Sequence, residues 1–141
     1  MWPFSLYGDR QKRPDEKKDS LRMEFSESLK KNEDFRTVYR KGRSCANRLF
    51  VMYVLENDSG RNRIGISVSK KVGNSVVRHH VTRLVREGYR LQEKRFNSGL
   101  DIVVVARSNA ASASFREVES ALLHLGRLQR ILKDPAKAGS D

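Results

Sequence analysis

The chain has 141 residues, a formal net charge of +12 at pH 7 and an isoelectric point near 10.3. This length suits one domain around a single core, and the positive charge indicates a polyanionic partner. Nucleic acid is favoured over a membrane, because the sequence has no apolar run near the roughly 18 residues of a spanning helix.

The termini and the cysteine content predict the domain boundaries and the compartment. Residues 1–27 mix charges closely and include two prolines, so we predict a disordered N-terminal extension. Residues 28–133 are predicted to form one RNA-binding domain, and residues 134–141 a tail. One cysteine, Cys45, cannot form a disulfide within the chain, and the first residues do not resemble a secretory signal. We therefore expect a cytoplasmic protein.

The sequence of the first half of the domain predicts a helix and two strands. Asn32 is a candidate N-cap and Gly42 a candidate C′ residue, which outlines a short helix whose apolar side is Phe35, Val38 and Tyr39. Residues 44–55 alternate as a strand with two apolar faces, with room for a bend that splits it. A turn at 57–62 leads to an antiparallel strand at 63–69.

Residues 70–90 predict a basic turn followed by an amphipathic helix that ends near residues 97–99. Residues 61–95 hold ten Lys or Arg against two Glu, a local net charge of +8. We expect the apolar stripe of the helix to pack on the sheet and its basic stripe to face outward. The excess of positive charge predicts a nucleic-acid surface, and the alternative is an ordinary solvated face. The predicted apolar stripe contains Val77, Val81, Leu84, Val85 and Leu91, and the basic stripe contains His79, Arg83, Arg86 and Arg90.

The last third of the domain predicts a buried strand at 102–106 and a final helix. Ser114 and Glu117 have the spacing of a capping box at the start of this helix. Its predicted core stripe is Val118, Ala121, Leu122, Leu125, Leu128 and Leu132. The fold class is therefore α+β, a small two-layer sandwich in the order helix, strand, strand, helix, strand, helix.

Several motifs in this order resemble the bacterial ribonuclease P protein component. The most specific is KKVGNSVVRHHVTRLVRE at 70–87, and it is accompanied by LKKNEDFRTVYRKGRS at 29–44, ANRLFVMYVL at 46–55 and GLDIVVVAR at 99–107. The resemblance covers residues 29–132. It implies a left-handed crossover through the basic helix, which is an exception to the usual right-handed connection.

The resemblance implies two binding surfaces, one for each RNA. Basic and polar groups can pair with phosphates of the catalytic RNA subunit; the predicted residues are Lys70, Lys71, Asn74, Arg78, His79, His80, Arg83, Arg86 and Arg90. An aromatic cleft is expected to hold the 5′ leader of precursor tRNA, although the aromatic pattern alone favours core residues; the predicted residues are Phe35, Tyr39, Ser44, Ala46, Asn47, Arg48, Phe50 and Tyr53.

The histidines distinguish this chain from the family pattern and do not suggest protein catalysis. The family has Arg-Asn-Arg where this chain has Arg78, His79 and His80, so we expect weaker or more pH-dependent RNA contact. Adjacent histidines on a helix diverge by about 100° and cannot form a facing acid–base pair. His124 is predicted to be structural. We assign no catalytic residue and no metal ligand to the protein.

The resemblance therefore implies an endoribonuclease that works as a ribonucleoprotein and removes the 5′ leader. Mg²⁺ is expected to be bound mainly by the RNA subunit, and the expected partners are that RNA and precursor tRNA, without a membrane or an obligate protein partner. A structural RNA-binding protein of ribosomal type would explain the charge but not the ordered motifs. A protein-only nuclease would need clustered carboxylates, and Asp101 and Glu87 are isolated in the sequence.

Overall fold

The structure is a computed structural model that describes residue 23 and residues 25–133. The described residues form five strands and three α-helices, with short 3₁₀ turns at Glu93–Arg95 and Ser108–Ser112. The strands are β1 (Ser26–Ser28), β2 (Arg43–Ala46), β3 (Phe50–Glu56), β4 (Asn62–Ser67) and β5 (Leu100–Ala106), and the helices are α1 (Asn32–Lys41), α2 (Ser75–Leu91) and α3 (Phe115–Leu128).

The five strands form one mixed sheet in the order β1-β4-β5-β3-β2. β4 and β5 are parallel and are connected through α2, whereas β3 pairs antiparallel with both β5 and β2. The strands β3 and β4 run in opposite directions, as predicted, but β5 lies between them. This central place suits β5 because both of its faces are apolar and buried. The handedness of the crossover through α2 stays a prediction.

The first long strand is split, as the sequence analysis allowed, but the chain reverses its direction at the split instead of bending, because β2 and β3 pair antiparallel. Asn47 breaks the strand, and its Oδ1 atom accepts hydrogen bonds from the backbone N–H groups of Leu49 and Phe50 at 3.1 and 3.0 Å. The additional strand β1 was not predicted, and its first two residues fall in the segment that the sequence analysis placed in the N-terminal extension. The rest of the proposed extension, except Met23 and Phe25, lies outside the described residues.

The helices cover both faces of the sheet, and they do so unequally. α2 and α3 pack on one face and enclose the main core, which includes Phe50, Met52, Ile102 and Val104. α1 packs on the opposite face over a small second core of Leu29, Val38 and Val103. The structure thus confirms the α+β class and adds a partial third layer to the predicted two-layer sandwich.

The helix ends agree with the sequence in part. The capping box of Ser114 and Glu117 is confirmed. α1 begins one residue after its observed cap, Lys31, rather than after Asn32. α2 ends at Leu91, before the predicted end. Leu91 and Leu128 are 52% and 54% exposed, so neither belongs to the core stripe in which it was placed.

Candidate nucleic-acid interface

The basic turn before α2 is shaped by local packing. Val72 is buried and anchors the turn, while the two residues before it, Lys70 and Lys71, are exposed. Gly73 is needed because a Cβ at this position would lie 2.8 Å from the Cβ of Val77. The Asn74 side chain caps α2 by accepting a 3.0 Å hydrogen bond from the N–H of Val77. Asn74 therefore stabilises the first turn of α2.

The predicted basic residues of α2 do not all face solvent equally. His80 and Arg83 are exposed. Arg78 is half-buried, and its Nη1 atom lies 3.4 Å from the carbonyl oxygen of Gly73. Arg90 forms a 2.6 Å ion pair with Glu87 in the same helix, so its charge is partly balanced. We use "basic surface" below for Lys70, Lys71, Arg78, His79, His80 and Arg83.

Arg86 differs from the outward orientation predicted for it. The side chain is half-buried, and burial lowers its pKa from the ordinary arginine value. The reason is the position on the helix: Arg86 lies four residues after Thr82 and three residues before Tyr89, both buried, so it borders the covered face of α2. Arg86 therefore lies at the margin of the basic surface.

His79 lies on the basic surface in an electropositive environment. Burial lowers the pKa of its ring, and the charges of Arg78 and Arg83 lower it further. The first turn of α2 contains no acidic residue, and the acidic groups toward the other end of the helix are engaged: Glu87 pairs with Arg90, and the buried Glu93 accepts a 2.7 Å hydrogen bond from the N–H of Phe25. A phosphate that approached His79 would find neighbouring cations.

The aromatic residues of α1 and β3 come together on the opposite face of the sheet. The rings of Tyr39 and Tyr53 meet edge to face with centroids 4.9 Å apart, and the Phe35 ring lies 6.3 Å from that of Tyr39. Strand pairing sets Ser44 opposite Tyr53 and Ala46 opposite Val51, so these side chains share one face. We use "aromatic groove" for Phe35, Tyr39, Ser44, Ala46 and Tyr53.

The aromatic groove is partly open. Tyr39 is 38% exposed, and both Ser44 and Ala46 are exposed on the edge strand β2. Phe35 reaches further in and rests on Gly65 of β4, where a Cβ would lie 2.6 Å from the ring atom Cζ. The groove therefore has a fixed inner end and an accessible outer end.

Three residues predicted for the groove lie elsewhere. Phe50 has 0% exposure and belongs to the main core on the other face, because successive side chains of a strand alternate in direction and Phe50 is three residues from Tyr53. The Asn47 side chain also turns to that face, where its Nδ2 atom donates to the carbonyl oxygen of Ala121 at 3.1 Å. Arg48 is exposed on the turn between β2 and β3.

The sequence analysis missed two features near these surfaces. Val51 is half-buried and shares the face of Tyr53, a position that the strand alternation already indicated. Asp101 was taken as isolated, but it forms a bidentate pair with Arg63 at 2.9 and 2.7 Å, and Arg63 also contacts Asp34 of α1 at 3.3 Å. These ionic contacts fasten α1 to the sheet and raise the pKa of Arg63. Pairing across 38 residues cannot be deduced from the sequence alone.

The residues that the structure describes bring together no group of three or more His, Cys, Asp or Glu side chains that could hold a metal ion. Among the described helices, none has the length and apolarity needed to cross a membrane. His124 is exposed, and its Nδ1 atom lies 3.1 Å from Asn47 Nδ2.

Comparison with known proteins identifies the family. The family model described as Ribonuclease P matches residues 23–130, which is most of the chain. The chain belongs to the ribonuclease P protein family. Ribonuclease P is a tRNA-processing endoribonuclease that acts as a ribonucleoprotein.

Individual relatives agree with this family. The chain is 55% identical to the ribonuclease P protein component of Lachnoclostridium phytofermentans over 108 residues, which cover 77% of this chain and 93% of that protein. It is 52% identical to the component of Alkaliphilus metalliredigens, over 78% and 99% of the two chains. The solved structure of the Staphylococcus aureus RNase P protein superposes with a TM-score of 0.69 at 37% identity, over 74% of this chain and 95% of that one.

Proposed function

We propose that this protein is the subunit of ribonuclease P that binds the catalytic RNA through the basic surface and the 5′ leader of precursor tRNA in the aromatic groove. It thereby promotes endonucleolytic removal of the leader. The observation that supports the proposal is the separation of the two surfaces: exposed cations are grouped on α2 and the turn before it, and aromatic rings in contact with one another lie on the opposite face of the sheet.

The basic surface suits an RNA backbone. Lys70, Lys71 and Arg83 project from the turn and the first half of α2, where the helix N-terminus adds backbone N–H groups and a positive dipole end. Each phosphate that such a surface neutralises releases condensed counterions, which makes binding favourable and dependent on salt. We expect this surface to hold the RNA subunit.

The aromatic groove suits single-stranded RNA. Bases stack on aromatic rings with little dependence on sequence, as recognition of varied leaders requires. The groove would then contact precursor tRNA but not the mature product, which lacks the leader. Binding energy obtained only with the precursor favours substrate over product.

The chemical step is assigned to the RNA subunit and its Mg²⁺, as the family resemblance implies. On the same ground, we assign no step to a metal held by the protein. The protein would act by positioning the leader and by neutralising phosphates, which lowers the Mg²⁺ concentration that the RNA needs. A cytoplasmic location remains part of this proposal.

The decisive experiment is cleavage of a precursor tRNA by a bacterial ribonuclease P RNA at low Mg²⁺, with and without the full chain. We expect strong stimulation by the wild-type protein and its loss in the double variant Lys71→Ala, Arg83→Ala. The matched control is Arg127→Ala, which removes an exposed arginine of α3 outside both surfaces. RNA binding without stimulation would instead support a structural RNA-binding protein, and cleavage by the protein without RNA would support a protein-only nuclease.

A further inference from the structure

A cleft of about 430 Å³ lies between the turn that joins β2 to β3 and the first half of α3. It is on the face of the sheet opposite the aromatic groove, beside the main core. Its apolar side includes Leu49, which is 4% exposed, and Ala121. Arg48 and Arg116, both exposed, line its rim. We use "α3 cleft" for this feature.

The turn that carries Arg48 is held firmly against α3. The Asn47 side chain bonds the backbone of its own turn through Oδ1 and the carbonyl oxygen of Ala121 through Nδ2. The carbonyl oxygen of Arg48 accepts a 3.4 Å hydrogen bond from Asn109 Nδ2. The backbone at Arg48 is therefore fixed from both sides, so its guanidinium extends over the cleft from a defined point.

The charge around the α3 cleft is positive. The two segments that meet there, residues 42–55 and 102–116, contain no Asp or Glu. Arg107 joins the group, because its Nη1 atom donates to the carbonyl oxygen of Asn47 at 3.2 Å. The one acidic lining residue, Glu117, accepts the N–H of Ser114 in the capping box through Oε1. A solvated surface usually mixes signs more evenly.

An apolar side beside a rim of arginines suits a ribonucleotide unit. The volume lies in the range of pockets that hold small ligands, and guanidinium groups bind phosphate oxygens in a bidentate manner. The sugar or base would lie against Leu49 and Ala121, and the phosphate would lie between Arg48 and Arg116. A peptide carboxylate would use the arginines but would not use a flat apolar side of this size.

The α3 cleft is also close to the aromatic groove along the chain. Ser44 and Ala46 border the groove on β2, and the turn follows immediately. Four residues of extended chain span about 13 Å, so Ser44 and Arg48 are separated by at most that distance. An RNA strand that stacks on Tyr39 and Tyr53 and continues over this turn would reach the cleft.

We propose that the α3 cleft is a second RNA site, which binds a phosphodiester unit of a single strand beyond the bases held in the aromatic groove. The proposal rests on the proposed function for the identity of that strand. Two RNAs carry the required chemistry, the distal part of the leader and an unpaired segment of the RNA subunit. The experiments below separate them.

The first experiment measures direct binding of uridine oligomers to the full chain by fluorescence anisotropy over a range of salt concentrations. A short oligomer fills only the groove, whereas a long one reaches the cleft. For the long oligomer, the double variant Arg48→Ala, Arg116→Ala should lose about 1.4 from the slope of log affinity against log salt, since each phosphate contact contributes about 0.7 for single strands. The short oligomer should bind unchanged.

The controls make this result specific to the cleft. One control is Arg127→Ala. Arg127 lies eleven residues beyond Arg116 on the same side of α3, about 16 Å along the helix, so its removal should leave the binding of both oligomers unchanged. Arg48→Lys with Arg116→Lys keeps the charge and should keep most of the slope. Equal slopes for the alanine double variant and the wild type with the long oligomer would overturn the proposal.

The second experiment identifies the strand. Precursor tRNAs with short and long leaders are bound by the assembled ribonucleoprotein, and the RNA subunit is titrated with the protein alone. If the variant Arg48→Ala, Arg116→Ala loses affinity only for precursors with long leaders, the cleft binds the distal leader. If it loses affinity for the RNA subunit, the cleft binds that subunit. Either result supports the site. Normal stimulation of cleavage with neither loss would overturn it. No stimulation by the wild-type protein, with oligomer binding still dependent on Arg48 and Arg116, would refute the proposed function and leave the site standing.

Discussion

The two faces of the sheet use their side chains in different ways. On one face, α2 and α3 pack on the strands and enclose the main core, so we expect contact with RNA there only at the outer surfaces of the helices and at the α3 cleft. On the other face, α1 is the only described helix that packs on the sheet, and the core there is small, formed by Leu29, Val38 and Val103. The strands β2 and β3 extend beyond it, which leaves the aromatic groove open at the edge.

This difference shows how one strand can serve stability and binding together. In β3, Phe50, Met52 and Val54 are buried in the main core, whereas Tyr53 and Leu55 contact α1 on the other side. Because the strand alternates, substitutions at neighbouring positions should separate the two roles. The predictions below use this separation.

The largest expected effect is on stability, from Phe50→Ala. Phe50 is fully buried, so removing its ring leaves a cavity and should lower the free energy of unfolding by about 3–5 kcal/mol. Urea denaturation followed by circular dichroism measures this. Under conditions where the variant is folded, leader affinity should be unchanged. A loss of leader affinity in the folded variant would contradict the assignment of Phe50 to the core alone.

A smaller loss of stability is expected from Gly65→Val, on the α1 face. The new side chain would collide with the Phe35 ring, and overpacking of this kind costs about 1–3 kcal/mol. Gly65→Val should also weaken leader binding, because the displaced ring forms the inner end of the groove. The double variant Gly65→Val, Phe35→Ala should cost less than the sum of the single variants, since the smaller side chain makes room. Additive costs would show that the contact is unimportant.

The expected effect of Tyr39→Ala is on binding. Stacking of one base on an aromatic side chain is worth about 1–3 kcal/mol, so affinity for the leader should fall about 5- to 150-fold. The residue is partly exposed and its ring contact with Tyr53 is worth about 0.5–1.5 kcal/mol, so stability should change little. Tyr39→Phe is the matched control and should retain most of the affinity. Equal binding of precursor by Tyr39→Ala and wild type would exclude stacking here.

The sequence predicted local features of both faces but not their combination. The capping box, the strand alternation and the basic turn depend on neighbouring residues, and they appear as expected. The position of β5 between β3 and β4, the edge strand β1 and the pair of Arg63 with Asp101 depend on contacts between distant segments. Local patterns carry no information on such pairing. The placement of Phe50 in the groove was a different kind of error, because the alternation of β3 already separates Phe50 from Tyr53.

The candidate surfaces show the same limit. A helical wheel treats Arg83 and Arg86 as equivalent members of one basic stripe, because it does not show which side chains the neighbouring elements cover. In the fold, Arg83 is exposed and Arg86 is half-buried with a lowered pKa. The difference comes from the surroundings of α2, which the sequence of the helix does not contain.

The smallest expected effect concerns the charge of His79. Its pKa is lowered in the folded protein, so the ring is neutral above pH 6.5 and gains a proton only at lower pH. The unfolded chain binds this proton more readily, so the group reduces stability as the pH falls below 6.5 and has no such effect above it. A bound phosphate favours the charged ring, so RNA affinity should rise as the pH falls through the same range.

Removal of a neighbouring charge tests this explanation directly. Arg83→Ala should raise the pKa of His79, because one of the two cations that disfavour its protonated form is gone. An NMR titration of the ring protons measures the shift, and Arg127→Ala should give none. Burial is the larger cause, so the pKa in the Arg83 variant should still lie below 6.5. An unchanged pKa would mean that Arg83 does not contribute, and burial and Arg78 would then account for the lowered pKa of His79.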